Sequence, residues 1–193
     1  MLIIIFTFKD AKLFNRYKIN FSYKNMEFLD IVDDSDKVLG NAPKQEVYEK
    51  LLTHRIVHIL IFNDRSEMAL QLQGRHKKFC PLHWSTAVGG HVQTGESYEQ
   101  AALRECKEEL GKRVEPIFAF KDVFRAEQGI KKFLVTFTAD YNGPFNPNKK
   151  EVEKAEFFSL EKIREMIESG EKFHPELLFL LKKHYGMNKI SDS

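Results

Sequence analysis

The sequence predicts an α/β fold in which a curved, mixed β-sheet carries helices on both faces. Three observations support this. Arg55–Phe62 (RIVHILIF) is an apolar run of strand length, the signature of a central strand buried on both sides. Strand-like stretches lie both before and after a single helix pattern between Ser97 and Leu110. The chain then closes with two further helix patterns. This order is neither a repeating βαβ series nor all-β, and a mixed sheet sandwiched between helices accommodates it.

The elements follow in order. Glu27–Pro43 reads as a strand, a turn at Asp33–Asp36 and a second short strand. Lys44–Leu52 is a short helix with Val47, Leu51 and Leu52 on one side. After the central strand, Asn63–Ser66 forms a turn, and Met68–Gln73 alternates as a half-buried strand does. A basic loop from Gly74 to Leu82 leads to Trp84–Val88, and a glycine loop beginning at Gly89 and Gly90 delivers the chain into the helix. Ser97 followed by Gln100 is a capping-box signature, and Gly111 is a natural stop. Phe118–Arg125 and Lys132–Ala139 are strands about a turn at Gly129, and Asn142–Lys150 is a loop. Glu153–Phe158 is a short strand, followed by helices at Leu160–Ile167 and Pro175–His184.

Composition narrows the function classes. The chain has 193 residues and a net charge of +2, with 42% hydrophobic residues and 17 phenylalanines, which suits one domain with a sizeable core. The near-neutral balance argues against a dedicated nucleic-acid partner. The two cysteines, Cys80 and Cys106, set no disulfide framework. Met1–Phe8 is apolar but too short to span a membrane and lacks the flanks of a secretion signal. A cytoplasmic protein without membrane association is expected. The ordered pattern begins at Met26, so residues 1–25 read as an N-terminal extension, 26–187 as the domain and 188–193 as a polar tail.

Gly89–Lys112 (GGHVQTGESYEQAALRECKEELGK) carries the chemistry. At 3.6 residues per turn, Glu105, Glu108 and Glu109 share one helix face, while Ala102, Cys106 and Leu110 form a stripe for the sheet. Arg104 can brace Glu108 or the nearby Glu96. Carboxylates held this close repel one another until a divalent cation sits among them. Magnesium favours such oxygen ligands and bridges carboxylates to substrate phosphates. A solvated acidic helix is the competing reading of the same residues, and spacing alone leaves both open.

The segment resembles the Nudix box, G-x5-E-x7-R-E-U-x-E-E-x-G-U, with U apolar. Gly90, Glu96, Arg104, Glu105, Cys106, Glu108, Glu109 and Gly111 stand at its positions, and only Lys112 departs, where an apolar residue is usual. The resemblance implies a Nudix fold, an α/β/α sandwich. It also implies a hydrolase that cuts a diphosphate linkage in a nucleoside diphosphate joined to another group. Glu105, Glu108, Glu109 and the Gly90 carbonyl would bind Mg2+, with Mn2+ a substitute. Arg104 would orient the carboxylates, and a helix glutamate or Glu151 would activate water. Arg75, Lys77, Trp84, His91 and Arg125 are the candidate contacts for a small-molecule diphosphate substrate. Dimers are widespread in that family, so a homodimer is an expected assembly.

The chain is also similar in part to type I isopentenyl-diphosphate isomerase, a member of the same superfamily, through LDIVDDSDKVLG, THRIVHILIFND and HWSTAVGGHVQTGES. His54 and His91 match two histidines of that enzyme. Gly89 stands where its cysteine would be, and Lys131 and Phe133 stand where it supplies carboxylates. Isomerase-like activity and a nucleotide-binding regulatory module without hydrolysis are the alternatives to hydrolysis.

Overall fold

A computed structural model describes residues 26–187, so the expectations for residues 1–25 and 188–193 lie outside the described residues. Phe28–Val32 (β1) and Val38–Pro43 (β2) pair as an antiparallel hairpin, followed by a short helix, Lys44–Glu49 (α1). His54–Phe62 (β3) is the central strand, and residues 56–61 are buried throughout. Val57, Ile59 and Ile61 enter one apolar cluster, whereas Leu60 enters another and Ile56 a third. The strand thus packs on both faces, as its unbroken apolar run requires.

Met68–Gln73 (β4), Trp84–Thr86 (β5), Val88–His91 (β6), Ile117–Arg125 (β7), Lys131–Asp140 (β8) and Val152–Phe158 (β9) complete a seven-stranded sheet. Its one parallel pair is β3–β8, in register from His54↔Lys132 to Phe62↔Asp140. The β3–β4 hairpin is in register at Phe62↔Met68 only; beyond it the two strands part. The short strands fill the gap: β5 pairs with β4, and β6 with β3. This split places the Gly89–Gly90 backbone in the middle of the molecule.

Helix Tyr98–Leu110 (α2) covers one face of the sheet. Ala101, Ala102, Cys106 and Leu110 are fully buried against Val57, Ile59 and Ile61. Leu160–Glu168 (α3) and Pro175–Tyr185 (α4) cover the other through Ile163, Leu177 and Leu181. The expected curvature of the sheet is corrected here. The sheet is open, with β5 and β7 at opposite ends of its strand order, and is neither curled nor closed. A sheet rolls up when one face or its edges need cover, but here helices shield both apolar faces.

The β1–β2 hairpin is tied down electrostatically. Asp36, in the left-handed region at φ 64°, accepts hydrogen bonds from Arg55 Nε (2.6 Å) and Tyr98 Oη (2.8 Å) and pairs with Lys121. One buried carboxylate thereby joins the hairpin to β3, α2 and β7. No helix among the described residues is long and apolar enough to cross a membrane.

Candidate active site

Helix α2 starts with the capping box read from the sequence. Ser97 Oγ accepts from the Gln100 N–H at 3.2 Å, and Gln100 Oε1 accepts from the Ser97 N–H at 2.8 Å. The helix stops at Gly111, whose φ of 62° suits glycine. This fixed register aims Arg104, Glu105, Glu108 and Glu109 at the glycine segment. That segment is not the loop expected from the sequence. Gly89 and Gly90 lie in strand β6, opposite His58 and Val57. Glycine is needed there for close approach: a Cβ on Gly90 would fall 2.1 Å from the Glu105 carboxyl.

The acids on α2 form a gradient. Glu109 is buried, the Glu105 side chain is largely covered and Glu108 is half exposed. One Glu109 oxygen, Oε2, accepts from Gln71 Nε2 (3.1 Å) and the Gly89 N–H (3.2 Å). Burial, reinforced by Glu105, pushes Glu109 up to about 8. Burial likewise raises Glu105 to about 7, against the pull of Arg104. In the absence of a cation these carboxyls sit where ionisation is costly.

Arg104 organises the group. Its Nε and Nη2 grip Glu96 at 2.7 and 2.9 Å, Nη1 reaches Glu105 at 2.7 Å and Glu108 at 3.3 Å, and Nη2 also donates to the His91 carbonyl at 2.9 Å. Glu96, which also accepts from the Gln93 N–H at 2.9 Å, is held below the usual carboxylate range; burial opposes that shift, but Arg104 outweighs it. The fork of the guanidinium allows one residue to do all this.

A cavity of about 870 Å³ opens from these acids. It is lined by Glu105, Glu108 and Glu109 and by Lys77 and Glu151. Lys77 Nζ donates to Glu151 Oε2 at 2.8 Å. Burial disfavours the Lys77 charge, but Glu151, Glu109 and Glu105 together hold it above its usual range. Among the described residues, no three His, Cys, Asp or Glu side chains already stand together as a closed metal shell. The donor set still suits a hard divalent cation: three carboxyls and a glycine carbonyl offer oxygens only, and magnesium keeps several waters.

The structure separates the candidate substrate contacts. Lys77 and His91 line the cavity. Arg75 instead pairs with Glu153 at 3.0 Å. Arg125 lines a smaller neighbouring cavity of about 220 Å³. Trp84 is buried at 6% exposure among α3 and α4 residues; its ring lies edge-on to Phe158, and its Nε1 donates to Glu171 at 2.6 Å.

Several lining residues were not singled out by the sequence. Lys132 and Glu176 form a buried pair at 2.8 Å, and His58 Nε2 lies 3.1 Å from the second Glu176 oxygen. Tyr48 Oη bridges His91 Nε2 (2.8 Å) and Lys132 Nζ (3.3 Å). Burial drives His54 and His174 down to about 4 and His91 well below its usual range, so all three are neutral. His58, a polar residue inside an apolar strand, was the one sequence signal for this cluster.

Comparison with known proteins adds ancestry to the geometry. Residues 52–181 match the family described as the NUDIX domain. An uncharacterized Nudix hydrolase of Pseudomonas aeruginosa is 34% identical over 131 residues, 68% of this chain and 78% of that protein. Another, of Streptomyces coelicolor, is 34% identical over 128 residues, 65% of this chain and 71% of that one. The crystal structure of DR0079 from Deinococcus radiodurans matches with a TM-score of 0.72, covering 82% of this chain and 99% of that one; at 24% identity the likeness concerns the fold.

Proposed function

The chain belongs to the NUDIX family of hydrolase domains, and on that premise we propose that it hydrolyses the diphosphate linkage of a nucleoside diphosphate joined to another group, with Mg2+ as cofactor. One observation carries this reading: Glu105 lies against Gly90, Glu109 accepts from the Gly89 N–H, and both line, with Glu108, a substrate-sized cavity.

Glu105, Glu108, Glu109 and the Gly90 carbonyl would hold the ion. When bound, it supplies charge neutralisation at the phosphoryl oxygens and a more acidic water. The protein's own residues do the rest. Arg104 fixes the carboxylates, and Lys77, moved from Glu151, binds a non-bridging phosphate oxygen. Glu151, then relieved of Lys77, takes the proton of the attacking water, and half-exposed Glu108 is the alternative base. The water oxygen bonds to phosphorus as the bridging P–O bond breaks, and the leaving phosphate takes the electron pair.

Isomerase-like chemistry finds less support. A Cβ at position 89 would meet His58 Nδ1 at 3.0 Å and Thr86 Oγ1 at 3.1 Å, so the place of a cysteine acid/base is crowded as well as vacated. The test is to incubate the purified protein with a panel of nucleoside diphosphate derivatives and isopentenyl diphosphate, with magnesium or manganese. Cleavage that Glu109→Gln abolishes is expected. Isomerised isopentenyl diphosphate, or derivatives left intact throughout, would overturn the reading.

A further inference from the structure

Two chemically different groups of residues line the cavity. One is the acidic face of α2. The other is Tyr48, Lys132 and Glu176, with neutral His174 beside them and the half-exposed ring of Phe79 edge-on to His174 at 5.4 Å. Lys132 and Glu176 are both buried, at 5% and 4% exposure, which is costly unless each charge is well partnered. Glu176 is partnered on both oxygens, by Lys132 and His58. Among the described residues, Lys132 Nζ donates to Glu176 and Tyr48, two of its three possible bonds.

We propose that Tyr48, Lys132 and Glu176 are specificity-determining residues that select, beside the diphosphate, a polar ring rich in hydrogen-bonding groups and reject an aliphatic chain. The inference rests on the hydrolase reading of the acidic face and names the group that reading leaves open. The physical reason is asymmetric. An alkyl chain packed against Lys132 and Glu176 would leave the third Lys132 N–H without a partner and return no hydrogen bond. A ring bearing hydroxyls, carbonyls or ring nitrogens accepts from Lys132 Nζ, which Tyr48 helps to hold in place, and donates to Glu176. Such a ring is a sugar or a nucleobase, and the half-exposed Phe79 ring in the cavity lining offers either one a flat apolar wall.

Binding tests this on the whole chain, by calorimetry with Ca2+ in place of Mg2+ so that ligands stay intact. The ligands are ADP-ribose for the sugar arm, diadenosine triphosphate for the base arm, geranyl diphosphate for the aliphatic arm, and inorganic diphosphate as the probe of the acidic face. At least one polar-ring ligand should bind about tenfold or more tightly than geranyl diphosphate, and which one does identifies the ring. Tyr48→Phe, which removes only a hydroxyl, and Lys132→Met should each weaken that ligand by about tenfold while leaving inorganic diphosphate unchanged. Geranyl diphosphate binding as tightly as the polar-ring ligands would overturn the inference. So would equal weakening of inorganic diphosphate in Tyr48→Phe, or no change in either variant. Turnover with Mg2+, measured separately on the same ligands, reports on the hydrolase reading alone, so the two can fail independently.

Discussion

The Glu105 carboxyl occupies the space that a side chain on Gly90 would fill: a Cβ there would lie 2.1 Å from both Cδ and Oε1. The glycine therefore does more than permit a turn, since it lets an acidic side chain lie directly on the strand backbone. Gly90→Ala must expel Glu105 from this position. The expected result is a folded protein whose magnesium affinity, measured by calorimetry, falls by about tenfold or more, with a matching loss of turnover.

Arg104→Lys tests the hub. A lysine keeps the charge but cannot span Glu96, Glu105 and the His91 carbonyl together, as the guanidinium does. Thermal unfolding should show a loss of about 2 kcal/mol. Magnesium affinity should weaken about 10–100-fold because the ligand carboxylates lose their orientation. Equal affinity in the two proteins would remove Arg104 from the site.

The buried acids predict a pH dependence of stability. Glu105 and Glu109 release their protons near their ordinary value of 4.5 when unfolded, but only near 7 and 8 in the cation-free fold. Folded pKa values above the unfolded ones mean that the native state binds protons more tightly. Their contribution is thus fully present below about pH 4.5 and is lost as pH rises through 7 and 8. Cation-free protein should lose stability across that window relative to Glu105→Gln or Glu109→Gln, by a few kcal/mol at most. Magnesium should restore it, more at pH 8 than at pH 5. Denaturant unfolding at several pH values, with and without the ion, reads this directly.

Asp36→Asn removes the shared partner of Arg55 and Lys121. Asparagine tolerates the left-handed backbone at that position, so the loss is electrostatic. Burial opposes ionisation of Asp36, yet its hydrogen bonds from Lys121, Arg55 and Tyr98 hold it below the usual carboxylate range. Its stabilisation is present above the unfolded value and disappears as pH falls through the lower, folded one. The variant should unfold about 3 kcal/mol more easily at neutral pH. It should show little difference from the parent in strong acid.

Much of the site could be read from the sequence because helix geometry is local. The spacing of Glu105, Glu108 and Glu109, the cap at Ser97 and the stop at Gly111 all depend on residues within a few turns of one another. Strand limits were legible for the same reason. What escaped depends on contacts far apart in sequence. Lys132 and Glu176 are 44 residues apart and meet only because α4 packs on the sheet. Arg75 looked free to bind phosphate until β9 brought Glu153 beside it. The Gly89–Gly90 pair looked like a loop because glycine weakens a strand, but here the cleft between β3 and β4 supplies pairing partners. The curvature of the sheet could not be read from strand patterns, since it depends on what covers each face.

The most direct test of the central claim is turnover in oxygen-18 water, with the products of a nucleoside diphosphate derivative weighed by mass spectrometry. The account predicts one labelled oxygen in a phosphate-bearing product, formed only with a divalent cation and not by Glu109→Gln. Unlabelled products, or label incorporated equally without the cation, would contradict it.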